Sequence, residues 1–144
     1  MIGDTVTVTV DRPLGSYHPE HPDLYYPVNY GYIKGTMAPD GEEEDAYILG
    51  IGKPVREYTG KVIAVIYRKD DTEHKWVVAP EGSSLTAGEI EQAVHFQEQY
   101  FQSVVSFELW IVCFIVVYFL SFLPLFCSVW SLFRKKGRNY DTIS

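Results

Sequence analysis

The sequence predicts a mainly β fold with α: a small OB-like closed β-barrel of about five strands, packed by one amphipathic helix and followed by a single transmembrane helix. Three observations carry this. Short runs rich in Val, Ile and Tyr recur between Gly, Pro and Asp breakers, which is the spacing of a small barrel. Glu89 to Ser103 shows the periodicity of a helix instead of the two-residue alternation of a strand. Leu109 to Phe133 contains no charged side chain, and as a helix rising about 1.5 Å per residue it is long enough for a hydrocarbon core of ~30 Å.

Thr5 to Val10 alternates Thr with Val, a half-buried strand ended by Asp11-Arg12-Pro13. Leu14 to Asp23 is rich in Pro, Gly and His and reads as an irregular loop. Tyr25 to Ile33 is aromatic and extended, Pro39-Asp40-Gly41 is a turn, and Ala46 to Leu49 is a strand. Gly50 to Pro54 breaks the chain. Lys61 to Tyr67 and Lys75 to Val78 are two further strands, joined by the polar stretch Arg68 to His74. Ser84 is the expected helix cap, with Ile90, Val94, Phe101 and Gln97 on one helical face. The division is therefore a globular domain over 1–104, a junction over 105–108, a transmembrane helix over 109–133 and a basic tail over 134–144. So small a domain has no room to cover the apolar run on all sides, which argues against a buried core helix.

The formal charge is −7, and Arg134, Lys135, Lys136 and Arg138 all lie beyond the apolar run, so the globular part is more acidic still. That excludes nucleic acid as a partner. An acidic protein that handles an anion must recruit cations, and clustered carboxylates suit hard divalent metals. Cys113 and Cys127 both fall inside the apolar run, so neither builds a disulfide framework or zinc site in the globular domain. The N-terminus has no basic-then-apolar leader. A domain this short favours a homo-oligomer.

Two acidic groups carry the chemistry. Asp40-Gly41-Glu42-Glu43-Glu44-Asp45 crowds carboxylates at a turn that leads into a strand, where alternation points Asp40, Glu42 and Asp45 towards a shared space. Asp70, Asp71 and Glu73 form a second group, which a barrel can bring opposite the first. Converging carboxylates suit paired Mg²⁺ ions and metal-assisted hydrolysis, although most acidic loop runs are simply solvated. Tyr25-Tyr26-Pro27-Val28-Asn29-Tyr30-Gly31-Tyr32-Ile33 and Lys75 flank the carboxylates with donors for phosphate oxygens, against the plainer reading of a tyrosine-rich core stretch.

YPVNYGYIKGTMAPDGEEED, DDTEHKWVVAP and HFQEQYF together resemble family I soluble inorganic pyrophosphatases, over Val6 to about Phe101. The resemblance implies Mg²⁺-dependent hydrolysis of pyrophosphate to two phosphates by a metal-activated water. It implies Asp40, Asp45, one of Asp70 or Asp71, and Glu73 as Mg²⁺ ligands, Glu42 as general base, and Asp11 as an outer-sphere acid. Tyr26, Tyr30, Lys75 and Tyr100 match phosphate-facing positions, and Arg12 is a candidate further contact. The departures weigh on this. Glu42 and Glu73 replace the family's usual aspartates, the segment between Asp11 and Tyr26 lacks the hairpin that supplies a lysine and an arginine, and Phe101 stands where a lysine usually follows the helix tyrosine. Arg12, His18, His21 and Lys34 are candidate substitutes, while His74 and His95 read as structural. The alternatives are a non-catalytic phosphate-binding module and a hydrolase of another phosphoanhydride. The expected location is a cytoplasmic catalytic domain anchored through 109–133, with the basic tail pulling against that orientation.

Overall fold

The computed structural model describes residues 2–107. The predicted transmembrane helix and the basic tail lie outside the described residues, and among those described no helix is long and apolar enough to cross a membrane. The elements are β1 (Thr5–Arg12), β2 (Asn29–Ile33), β3 (Glu44–Ile48), β4 (Glu57–Arg68), β5 (His74–Ala79), α1 (Ala87–Glu98) and β6 (Ser103–Ser106). The strands follow the order β1-β2-β3-β5-β4-β6, and a further β1–β4 pairing closes the first five into a barrel. All pairings are antiparallel except β3 with β5.

Closure depends on the length of β4. Its first half, Glu57 to Lys61, pairs with β1, and its second half, Val65 to Arg68, pairs with β6. Where Gly31 of β2 meets β1 there is no room for a side chain. A Cβ on Gly31 would stand 1.9 Å from the Thr9 carbonyl oxygen, so glycine is required there for close approach of two backbones.

The apolar runs are buried on both faces, which is why Ala46-Tyr47-Ile48-Leu49 reads as a continuous hydrophobic stretch and not an alternating one. Val8, Ile33, Ala46, Ile48, Val62 and Val78 fill one cluster. Tyr30, Tyr47, Ile66 and Val77 fill the other, against Ile90 and Val94 of α1. The expected helix face is correct for these two residues and for Gln97, whose Oε1 stands 3.1 Å from the buried Tyr47 hydroxyl, but the bounds differ. Thr86, not Ser84, is the cap: it accepts from the Glu89 amide while the Glu89 carboxylate reaches back to the Thr86 amide. The helix ends at Glu98, Phe101 follows it, and β6, which the sequence did not predict, begins at Ser103. Tyr25 to Val28 is likewise outside β2.

Fully buried Asn29 ties the loops to the barrel. Its Oδ1 accepts from the amides of Leu14 at 2.9 Å and Val55 at 3.1 Å, and its Nδ2 donates to the Lys53 carbonyl at 2.9 Å. Asn29→Ala strands three backbone groups, and at about 1–3 kcal/mol for a buried unsatisfied group we expect a loss of at least about 2 kcal/mol in urea unfolding.

Candidate active site

The parallel register of β3 and β5 sets Asp45 beside Lys75, so the two side chains share a face. Lys75, 3% exposed, places Nζ between Asp45 Oδ2 and Glu73 Oε2, the latter at 2.6 Å. From β2, Tyr30 donates its hydroxyl to the same Asp45 oxygen at 2.7 Å. Burial, then the charge and hydrogen bond of Asp45, push the Tyr30 phenol well above its ordinary range, so it stays a donor. The acidic turn is pinned by its own geometry. Gly41 takes a positive φ of 91°, and the Glu42 amide donates to Asp40 Oδ1 at 3.0 Å.

These elements enclose a cavity of about 420 Å³ whose walls include Asp40, Glu42, Glu43, Asp45, Glu73 and Lys75. Among the described residues Lys75 is its only Lys or Arg. Glu44 turns inward instead, and burial raises its carboxyl above the usual range.

The second acidic group is divided. Only Glu73 reaches the cavity of the first group. Asp70 accepts from the Gln102 amide at 3.0 Å. Asp71 accepts from the amides of Thr72 and Glu73 and from Arg68 Nη1 at 3.4 Å. Arg68, at the end of β4, was not singled out by the sequence. Its Nε and Nη2 bind the two oxygens of Glu98 at 3.0 and 2.7 Å, and its Nη1 also meets Glu73 at 3.2 Å. Glu98 accepts in addition from the hydroxyls of Tyr47 at 2.6 Å and Ser103 at 2.5 Å.

A second cavity, of about 670 Å³, has Arg68, Asp71, Glu73, His18, His21 and Tyr100 in its walls. Tyr100 is 71% exposed there. The His18 Nδ1 accepts from the amides of Glu20 and His21, so this ring organises its loop. Other expected site residues do not line either cavity, although Asp11 and Tyr26 lie within electrostatic reach of Asp45. Tyr26 is buried in the aromatic cluster, with its ring 5.2 Å from that of Phe96. Lys34 is exposed elsewhere. Arg12 pairs with Asp11 at 2.9 Å, and the β1–β2 register shifts between Val10 and Arg12, a bulge that re-aims Asp11. Burial raises the Asp11 carboxyl above its ordinary value, against the opposing pull of Arg12.

The family model for inorganic pyrophosphatase matches residues 5–107. The chain belongs to the inorganic pyrophosphatase family. The inorganic pyrophosphatase of Rhodospirillum rubrum is 27% identical to it, over 49% of this chain and 42% of that protein, so the chain spans less than half the length of this curated relative. Two solved structures share the fold. An inorganic pyrophosphatase from Coxiella burnetii has a TM-score of 0.53 at 19% identity, covering 74% of this chain and 86% of the other. One from Ehrlichia chaffeensis has a TM-score of 0.54 at 19% identity, covering 71% and 85%.

The family generally works with Mg²⁺, and the two acidic groups differ in how they fit it. Around the first cavity Asp40, Glu42, Glu43 and Asp45 offer hard oxygen donors towards open space, which is the right chemistry. Among the described residues no three His, Cys, Asp or Glu side chains are drawn together tightly enough to form a closed cage. Around the second group part of the donor capacity is already committed: Asp70 accepts from the Gln102 amide, and Asp71 from two backbone amides and from Arg68.

Proposed function

We propose that this chain hydrolyses inorganic pyrophosphate to two phosphates with Mg²⁺ as cofactor, at the cavity between the Asp40–Asp45 turn and Lys75. One observation carries the reading: five carboxylates and a single lysine surround a family-typical site, so a polyanion gains access only in company with divalent cations. Asp40 and Asp45 are the residues that would hold them, while Glu73 is turned to Lys75 and Arg68. When bound, Mg²⁺ supplies a Lewis acid for the phosphoryl oxygens and neutralises charge on the leaving phosphate.

The side chains divide the remaining work. Lys75 Nζ has three donors, directs two at Asp45 and Glu73, and has one left for a phosphate oxygen. Tyr30 fixes the Asp45 carboxylate by its hydroxyl. Glu42, exposed on the wall of the cavity, is the base placed to take a proton from the attacking water. Tyr100 is the hydrogen-bond donor to a phosphate oxygen in the neighbouring cavity. The apolar run 109–133 supports anchoring of a cytoplasmic domain to a membrane, and the small core supports a homo-oligomer.

A second reading, a phosphate-binding module without turnover, is favoured by the lack of a second free cation on the first cavity among the described residues. Phosphate release by the full-length chain separates the two. We expect Mg²⁺-dependent turnover of pyrophosphate that EDTA abolishes and excess Mg²⁺ restores. Release from a nucleoside triphosphate but not from pyrophosphate would transfer the site to another phosphoanhydride.

A further inference from the structure

We propose that the Arg68 guanidinium is the resident cation of the second acidic loop, standing where the family resemblance places a divalent ion, so that this chain takes up divalent ions through the Asp40–Asp45 turn alone. The inference deepens the metal reading above and rests on it for the first cavity only. Arg68 has a side chain 2% exposed, and its guanidinium is surrounded on three sides by carboxylates: Glu98 bidentate, Asp71 and Glu73. Five N–H groups in a fixed fork match this arrangement, and the charge is fixed at any physiological pH. A metal ion at Asp71 and Glu73 would have to displace it, against both charge repulsion and the loss of the two Nη1 hydrogen bonds to that loop, while the bidentate pair with Glu98 holds the guanidinium in place.

The remaining face of the guanidinium explains a departure that is otherwise a simple loss. Its central carbon lies 3.6 Å from the centroid of the Phe101 ring. Phe101 is the residue that stands in place of the usual lysine after Tyr100. An ammonium at that position would repel Arg68, whereas an aromatic face attracts it. The Phe101 and Arg68 features are therefore one device. The same contacts that neutralise Asp71 and Glu73 keep Arg68 from reaching a phosphate, so it does not replace the missing cationic clamp.

Mn²⁺ binding to the full-length chain, followed by the electron paramagnetic resonance signal of free Mn²⁺, tests this without reference to activity. Asp71→Asn and Asp70→Asn, both at the surface, should leave the number of ions per chain unchanged and the affinity within about twofold, while Asp40→Asn should weaken binding at least tenfold. Loss of one ion, or tenfold weaker binding, in Asp71→Asn would overturn the assignment of Arg68. Unchanged binding in Asp40→Asn would instead overturn the reading of the first cavity, and the two failures are thus distinct. Arg68→Met, where it folds, should gain one bound ion that Asp71→Asn then removes; a folded variant without that gain also counts against the proposal.

Discussion

Asp45→Asn should lower pyrophosphate turnover by about 10²–10³-fold, the range for removing one preorganised charged or hydrogen-bonding group from a reacting centre, while the chain stays folded. Asp45 is where three elements converge. Tyr30 from β2 and Lys75 from β5 both bind its Oδ2, and its side chain is still a third exposed towards the cavity. An asparagine oxygen accepts from Tyr30 as before, so packing is retained. What disappears is the negative charge that holds Lys75 and would hold Mg²⁺. Steady-state kinetics should therefore show the loss in kcat, with the urea midpoint close to that of the parent. A turnover within tenfold of the parent would place the chemistry elsewhere.

Glu98→Ala should produce the largest loss of stability, about 3–5 kcal/mol, the usual cost of leaving one partner of a buried ion pair uncompensated. Glu98 lies at the end of α1 with its side chain 6% exposed, and it accepts from Arg68, Tyr47 and Ser103. It thereby joins the helix to β4, β3 and β6. Burial pushes its carboxyl up, but the hydrogen bonds of Arg68, Ser103 and Tyr47 outweigh that and hold it below the ordinary value of 4.5. A depressed folded value means that the unfolded chain takes up the proton first. Stability from Glu98 is then complete above the ordinary carboxylate range and falls as the pH drops through it towards the folded value. Urea unfolding across pH should show this acid limb in the parent and a flatter one in Glu98→Gln.

The barrel was legible because its breakers and apolar runs fall between strands, and because a strand buried on both faces, such as Ala46 to Leu49, leaves an unbroken hydrophobic run. The Asp45, Glu73, Lys75 and Tyr30 group was legible through the resemblance of its motifs to a known family, and two adjacent strands in register set Asp45 beside Lys75. Thr86 was missed although the signal was present: Thr86-Ala-Gly-Glu89 is a capping box, and Ser84 drew attention only as the earlier hydroxyl. β6 carried too little signal, four residues directly after a helical period. Arg68 and Glu98 could not be read at all. A lone arginine at a strand end and a glutamate near the end of a helix each look solvated, and only the packing of α1 across β4 buries them as a pair. Tyr26 combines two readings of its stretch: its ring packs in the aromatic core, and its hydroxyl lies beside Arg12 and within electrostatic reach of Asp11 and Asp45.

The most direct test is ³¹P NMR of pyrophosphate with the full-length chain and Mg²⁺, with Asp45→Asn alongside. The account predicts that the pyrophosphate resonance gives way to inorganic phosphate with the parent chain and persists with the variant. A pyrophosphate signal that broadens or shifts on binding, yet never converts to phosphate, would contradict it and leave a barrel that binds its ligand without cleaving it.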